Sequence, residues 1–312
     1  MQPTGYLDVS QSSLLKHSAD KKNNHQKNSF FNLNGIEGTE SIQEYASSLT
    51  ALELDLVYAI KRNQFELYYQ PKVDAKKGLI IGAEALIRWN HPMLGLILPN
   101  NFIPLAEKIG FINQIGKWVK YTACKQNKAW QDANLSKIPV SVNLSASRFL
   151  EKDLICSIME TLKETQLDPQ YLEIEITETS ILENETVVFS MLDELRNLGI
   201  KIALDDFGTG YASLSNLQLF HDKIDILKID RSFIKNLSSS KNEDANFFVH
   251  IIIQISNRLN KNIIAEGVET KEQLEVLQSF NCQTVQGYLY SKPVPANQFA
   301  ELLKKQRIDP IG

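Results

Sequence analysis

Seven short apolar runs in this chain end at, or close to, a residue able to ligate a metal or hold a phosphate. They are LIIGAEALI with Glu84, IPVSVNLS with Asn143, LEIEITE with Glu175, IKIALDDFG with Asp205 and Asp206, IDILKID with Lys228, NIIAEGVE with Glu266, and TVQGYLY with Gln286. Carboxylate and carboxamide oxygens are the donors that Mg²⁺ and Mn²⁺ prefer. The adjacent Asp205 and Asp206 sharpen the reading, because burying two unpaired carboxylates costs on the order of several kcal/mol. A divalent cation removes that penalty. A helix cap combined with a salt bridge is the plainer use of an Asp-Asp pair, and the acidic and amide residues on the other runs favour the cation. Successive strand residues face opposite ways, so both aspartates can address one site only where their strand ends and twists into a loop. Lys228 lies inside the apolar run ILKID, where an ammonium needs carboxylates or a phosphate opposite it; a local pair with Asp230 is the lesser reading. His17, His25, His91, His221 and His250 show no i,i+4 spacing, which argues against a His-rich zinc or iron centre. His91, in WNHPMLG, reads as a turn residue.

The elements that must position these groups alternate. From Glu84 the intervals to Asn143, Glu175, Asp205, Lys228, Glu266 and Gln286 are 59, 32, 30, 23, 38 and 20 residues. Each is close to one strand-plus-helix unit except the first, which also holds PNNFIPLAEKIGFINQIGKWVKYTACKQNKAW, enough for two helices. NETVVFSMLDELRNLG is an amphipathic helix stopped by Gly199, and Thr270 with Gln273 has the spacing of a capping box. LTALELDLVYAIKRN carries helical periodicity and leads into FELYYQPKV, a strand rich in aromatic and β-branched residues. Repeated βα units imply a parallel sheet. Ser141, Asn143 and Ser145 share one strand face against Val140, Val142 and Leu144, as Glu173, Glu175 and Thr177 do against Leu172, Ile174 and Ile176. Polar-in, apolar-out strands fit a closed α/β barrel of the (β/α)₈ TIM type better than an open sheet, whose strands would be apolar on both faces. Chemistry would then gather at one rim.

The 312 residues, 43% hydrophobic and 22% charged, suffice for one such barrel of about 250 residues with some surplus. A net charge of −4 excludes a basic coat for a nucleic acid polymer. No apolar run reaches the roughly 18 residues of a membrane span, and no signal peptide opens the chain. Cys124, Cys156 and Cys282 are too far apart for a disulfide framework or zinc site, which suits a reducing cytoplasm. Residues 1–48, including DKKNNHQKNSFFNLNG, lack periodicity and read as a flexible N-terminal extension. A docking arm for a regulatory partner, using Phe30 and Phe31, is the alternative. The barrel domain is expected over 49–307, with a C-terminal tail at 308–312.

YYQP (68–71), GAEALIRW (82–89), SVNLS (141–145), EITE (175–178), DDFGTGYASL (205–214), LKIDRSF (227–233), AEGVET (265–270) and QGYLYSKP (286–293) together resemble the EAL-domain phosphodiesterases over about residues 50–307. That family hydrolyses cyclic-di-GMP to linear pGpG. The resemblance implies that the first barrel strand runs antiparallel and that the protein forms a homodimer. It also implies two Mg²⁺ or Mn²⁺ ions: one held by Glu84, Asn143, Glu175 and Asp205, the second by Asp205, Asp206 and Glu266. Glu84, Lys228 and Glu266 would be catalytic, Lys228 orienting or helping to deprotonate the attacking water. Gln70, Arg88 and Gln286 would bind substrate, and Glu178 would anchor the loop after Asp206, whose Gly208 and Gly210 allow tight turns. Ca²⁺, with its larger and more flexible shell, is expected to inhibit. A catalytically silent cyclic-di-GMP receptor is the alternative from a different class; the full set of ligand residues favours the enzyme.

Two departures from the family pattern stand out. Ala212 replaces a serine, and the segment LQLFHDKIDILKID is about two residues longer than the usual link, with His221-Asp222-Lys223 where a proline turn is common. In the family this region lies near the dimer contact, so the lengthened 219–225 segment is expected to alter association rather than catalysis. Trimming it should change the molar mass measured by light scattering; an unchanged association state would exclude the idea.

Overall fold

Alternation of apolar and polar residues along each strand produces a closed barrel of eight strands. The structure, a computed structural model, describes residues 50–151, 153–182, 185–208, 214–238 and 243–311; the N-terminal extension, with Phe30 and Phe31, lies outside them. The strands among the described residues are β1 (Phe65–Asp74), β2 (Ile80–His91), β3 (Gly95–Ile97), β4 (Val140–Asn143), β5 (Leu172–Thr177), β6 (Lys201–Phe207), β7 (Ile226–Ile229), β8 (Asn262–Glu266), β9 (Thr284–Gln286) and β10 (Val294–Pro295). The sheet runs β10-β1-β9-β8-β7-β6-β5-β4-β2-β3, and an additional β1–β2 pairing closes it. β1 is antiparallel to both β2 and β9, whereas β2, β4, β5, β6, β7, β8 and β9 pair in parallel. The short β3 and β10 extend the two ends outside the ring. The expected barrel and its antiparallel first strand are both present.

Helices fill the connections, and the long interval before β4 holds two of them, Pro99–Lys108 and Ile112–Asp132. Helix Glu185–Asn197 ends ahead of Gly199, whose φ of +92° is one a glycine adopts without strain. Thr270 and Gln273 form the capping box that opens helix Lys271–Ser279. Outward-facing aromatics fix the shell to the barrel: Tyr69 of β1 meets Trp130 and Phe299 on two helices, and Trp89 of β2 meets Phe102. His91 serves its turn, accepting from the N–H groups of Met93 and Leu94. The 219–225 segment continues helix Leu214–Phe220 into a 3₁₀ turn, His221–Lys223, tied to helix Glu185–Asn197 by Lys223–Asp193 and Arg196–Asp225 pairs. Beyond residue 307, Ile308 is buried and its N–H donates to the Gly78 carbonyl.

Asn127 shows how the shell sets strand positions. Its buried carboxamide donates to the carbonyls of Ile138 and Tyr171, each at 3.0 Å, just before β4 and β5. Asn127→Ala leaves both carbonyls without that donor. It should lower stability by about 2–4 kcal/mol in urea unfolding; a shift within error would show that water replaces the carboxamide.

Candidate active site

Lys228 is the centre toward which the rim residues turn. Its side chain, 1% exposed, places Nζ 2.5 Å from Glu175 Oε2, 2.6 Å from Glu266 Oε1, 3.0 Å from Asp205 Oδ1 and 4.0 Å from Glu84 Oε2. Each carboxylate comes from a different strand. Asp230, the lesser candidate partner, instead caps helix Arg231–Ile234, accepting from the Ser232 N–H. Glu84 is held from two sides: Asn143 Nδ2 donates to Oε1 at 3.0 Å and Gln286 Nε2 donates to Oε2 at 2.6 Å. Gln286 Nε2 also lies 3.2 Å from Gln70 Oε1, and Gln70 Nε2 donates to the Ser291 carbonyl. This leaves Gln286 Oε1 buried with no hydrogen-bond partner among the described residues.

The Asp205-Asp206 pair is accommodated by a break in the ladder. The β6–β7 register shifts between Leu204 and Phe207, and Asp206 takes φ +55° while its N–H donates to Asp205 Oδ1. A bulge of this kind re-aims side chains, so two consecutive carboxylates need not face opposite sides. Gly208 follows at φ +96°, where an added Cβ would lie 2.8 Å from the Phe233 ring. Glu178 is buried at the start of helix Glu178–Leu182, directly after β5. The loop it is expected to anchor runs through residues 209–213, which lie outside the described residues, Gly210 and Ala212 included. Arg88 shares the inner face of β2 with Glu84, but its guanidinium lies over the Tyr68 ring, 5.5 Å from the centroid.

Charge dominates this interior. Burial raises the pKa of Glu84, and Glu175 and Asp205 raise it further against the pull of Lys228. Burial pushes Glu266 up to about 8, with Asp205, Glu84 and Glu175 adding to the effect and Lys228 opposing it. Glu175 goes the other way: burial disfavours its charge, but the Lys228 and Lys72 ammonium groups outweigh that and hold it well below the usual range. Lys228 is disfavoured by burial yet held firmly protonated by Glu175, Glu266, Glu84 and Asp205.

Lys72 and Glu173 were not assigned a role from sequence. Lys72 sits two residues after Gln70 on the same face of β1, and its Nζ donates to Glu173 and, at 2.8 Å, to Glu175 Oε1. The period-2 rule that placed Glu173 beside Glu175 would have placed Lys72 as well. A cavity of about 400 Å³ opens above Glu84, Glu266 and Gln286, and Asn100, Arg231, Glu269 and Tyr288 also line it. Arg231, at the start of helix Arg231–Ile234, and Glu269, in the loop after β8, pair at 2.7 Å, a contact no sequence period signals.

Glu84, Glu173, Glu175, Asp205 and Glu266 thus share an interior in which Lys72 and Lys228 are the ammonium groups among the described residues, with Asp206 exposed at its edge. Surplus negative charge and an all-oxygen donor set fit divalent cations. Among the described residues no three His, Cys, Asp or Glu side chains converge as ready ligands; the carboxylates converge on the Lys228 ammonium. No described helix is long and apolar enough to cross a membrane.

A family model described as "EAL domain" matches residues 53–293. The chain is 43% identical over 244 residues to the "Bifunctional diguanylate cyclase/cyclic di-GMP phosphodiesterase MucR" of Pseudomonas aeruginosa, covering 78% of this chain and 35% of that protein. It is 37% identical over 258 residues to the "Cyclic di-GMP phosphodiesterase NbdA" of the same organism, covering 83% and 32%. The chain therefore spans about a third of the length of these curated relatives. The solved structure described as "PaMucR Phosphodiesterase, c-di-GMP complex" superposes with a TM-score of 0.75 at 42% identity, covering 80% of this chain and 100% of that one.

Lys228→Met removes the cation that three carboxylates contact. In a chelator-containing buffer it should lower unfolding stability by about 3–5 kcal/mol. Equal urea midpoints for the variant and the native protein would mean that the ammonium does not hold the cluster.

Proposed function

Because the chain belongs to the EAL domain family, we propose that it hydrolyses cyclic-di-GMP to linear 5′-pGpG with two bound Mg²⁺ or Mn²⁺ ions. The observation carrying this reading is the gathering of Glu84, Glu175, Asp205 and Glu266 on Lys228, bordered by Asn143 and Gln286, beneath a cavity of about 400 Å³. The names of its relatives support the substrate class.

In this reading Glu84, Asn143, Glu175 and Asp205 hold one ion, and Asp205, Asp206 and Glu266 the other. When bound, such a pair activates a water and stabilises the entering and leaving oxygens of an in-line displacement. The chain's own residues do the rest. Lys228, firmly protonated, orients the attacking water by turning toward it one of the three N–H bonds now directed at Glu175, Asp205 and Glu266. Gln286 and Gln70, already linked through Gln286 Nε2, hold the substrate with the carboxamide oxygen that has no partner of its own. Arg88 moves from the Tyr68 ring to a phosphate, a target its planar fork matches. Water adds to one phosphorus, the P–O3′ bond breaks, and the 3′-oxygen leaves with a proton as the 5′-phosphate remains. Glu178 anchors the loop that follows Asp206.

We also assign the chain to the cytoplasm as a homodimer, with residues 1–48 available to a regulatory partner. Free Cys124, Cys156 and Cys282 suit a reducing compartment.

Liquid chromatography of cyclic-di-GMP incubated with the purified protein should show pGpG appearing with Mg²⁺ or Mn²⁺ and suppressed by Ca²⁺. Glu84→Ala should reduce turnover at least 100-fold while preserving the fold, because rim residues contribute to chemistry more than to stability. Ligand binding without product from the native protein would identify a receptor instead.

A further inference from the structure

One buried cation beneath the rim has no part in the reaction scheme above. Lys72, 3% exposed, crosses the barrel from β1 and donates to Glu173 and to Glu175 Oε1. Its register partner on β2 is Gly82, where an added Cβ would stand 3.4 Å from Lys72 Cδ. A Cβ there would make ordinary van der Waals contact with the stem, so position 82 lies alongside the lysine's path to β5. Neutralising Glu173 would need only one contact. The second contact, to Glu175, gives that carboxylate one ammonium on each oxygen: Lys72 on Oε1 at 2.8 Å and Lys228 on Oε2 at 2.5 Å.

The terminal torsion of a glutamate is broad and weakly held on its own. Two donors on opposite oxygens define the plane of the carboxylate. Glu175 is fully buried at 0% exposure, so Oε1 is shielded from bulk solvent. We propose that Lys72 is a positioning residue: it pins Glu175 Oε1 from below and thereby presents Oε2 to the rim, where the divalent ion is to bind. This rests on the divalent-ion reading of the site. Partners that orient a ligand typically change metal affinity 10–100-fold when removed, without touching the metal.

The test is Mn²⁺ binding to the full chain without substrate, by calorimetry and by the spin-resonance signal of free Mn²⁺. Lys72→Met should weaken binding by about tenfold or more. That variant also strands the Glu173 charge, which by itself destabilises the fold, so Lys72→Met with Glu173→Met is measured beside it. The double variant should regain the native melting temperature while keeping weak Mn²⁺ affinity, and Lys72→Arg, which can still donate to both glutamates, should bind within threefold of native. Native affinity in the folded double variant would overturn the positioning role alone, reducing Lys72 to a counter-charge for Glu173. Absence of Mn²⁺ binding by the native chain would instead overturn the divalent-ion reading and this proposal with it.

Discussion

The ion cluster around Lys228 is the constraint on which the rest of the barrel depends. Closing eight strands brings the carboxylates of Glu84, Glu175, Asp205 and Glu266 from four different strands onto one ammonium. Two like charges 4 Å apart repel by about 4 kcal/mol at the effective dielectric of a protein. Several such pairs would exceed the net stability of an ordinary domain. Burial is the main cause of the raised pKa values of Glu84, Asp205 and Glu266, and repulsion from neighbouring carboxylates adds to it. The same surplus of negative charge that strains the interior is what suits it to divalent cations.

A strained interior needs a rigid frame, and the outward faces supply it. Tyr69, Trp89, Trp130, Phe102 and Phe299 lock β1 and β2 to their helices, while Asn127 ties the helix Ile112–Asp132 to the entries of β4 and β5. Both neighbours of β1 run antiparallel to it, so Gln70 stands opposite Glu84 across the closing seam. Gln286 reaches the same point from β9 through its bonds to both. Lys72 lies deeper on the same strand. The antiparallel β1 therefore delivers one polar group to the rim layer and one cation to the layer below.

Most of the barrel was legible because strand side chains have period 2 and connecting helices have recognisable ends. Glu173 beside Glu175, the Gly199 stop, the Thr270–Gln273 box and the two helices before β4 all rest on local rules that the packing did not override. Lys228 was legible for a thermodynamic reason, since a lysine in an apolar strand demands carboxylates. Its lesser partner, Asp230, was a neighbour in sequence, and the helix N-terminus at Arg231 claimed it. Arg88 shows the opposite limit. Its place on the inner face follows from Glu84, but the Tyr68 ring that holds its guanidinium comes from the facing strand.

The sequence by itself determined which residues form strands, which face of each is polar, and that acidic and amide groups recur at one end of successive βα units. These depend on intrinsic periodicity and on the cost of burying charge, both of which act locally. Only the tertiary structure decided how the charges are shared: Glu175 between two lysines, Glu84 between Asn143 and Gln286, and Asp206 at positive φ in a bulge. Such partnerships depend on strand stagger and on distances across a closed ring, where a shift of one residue turns every side chain to the other face. Register is a property of the whole sheet, so no single segment encodes it.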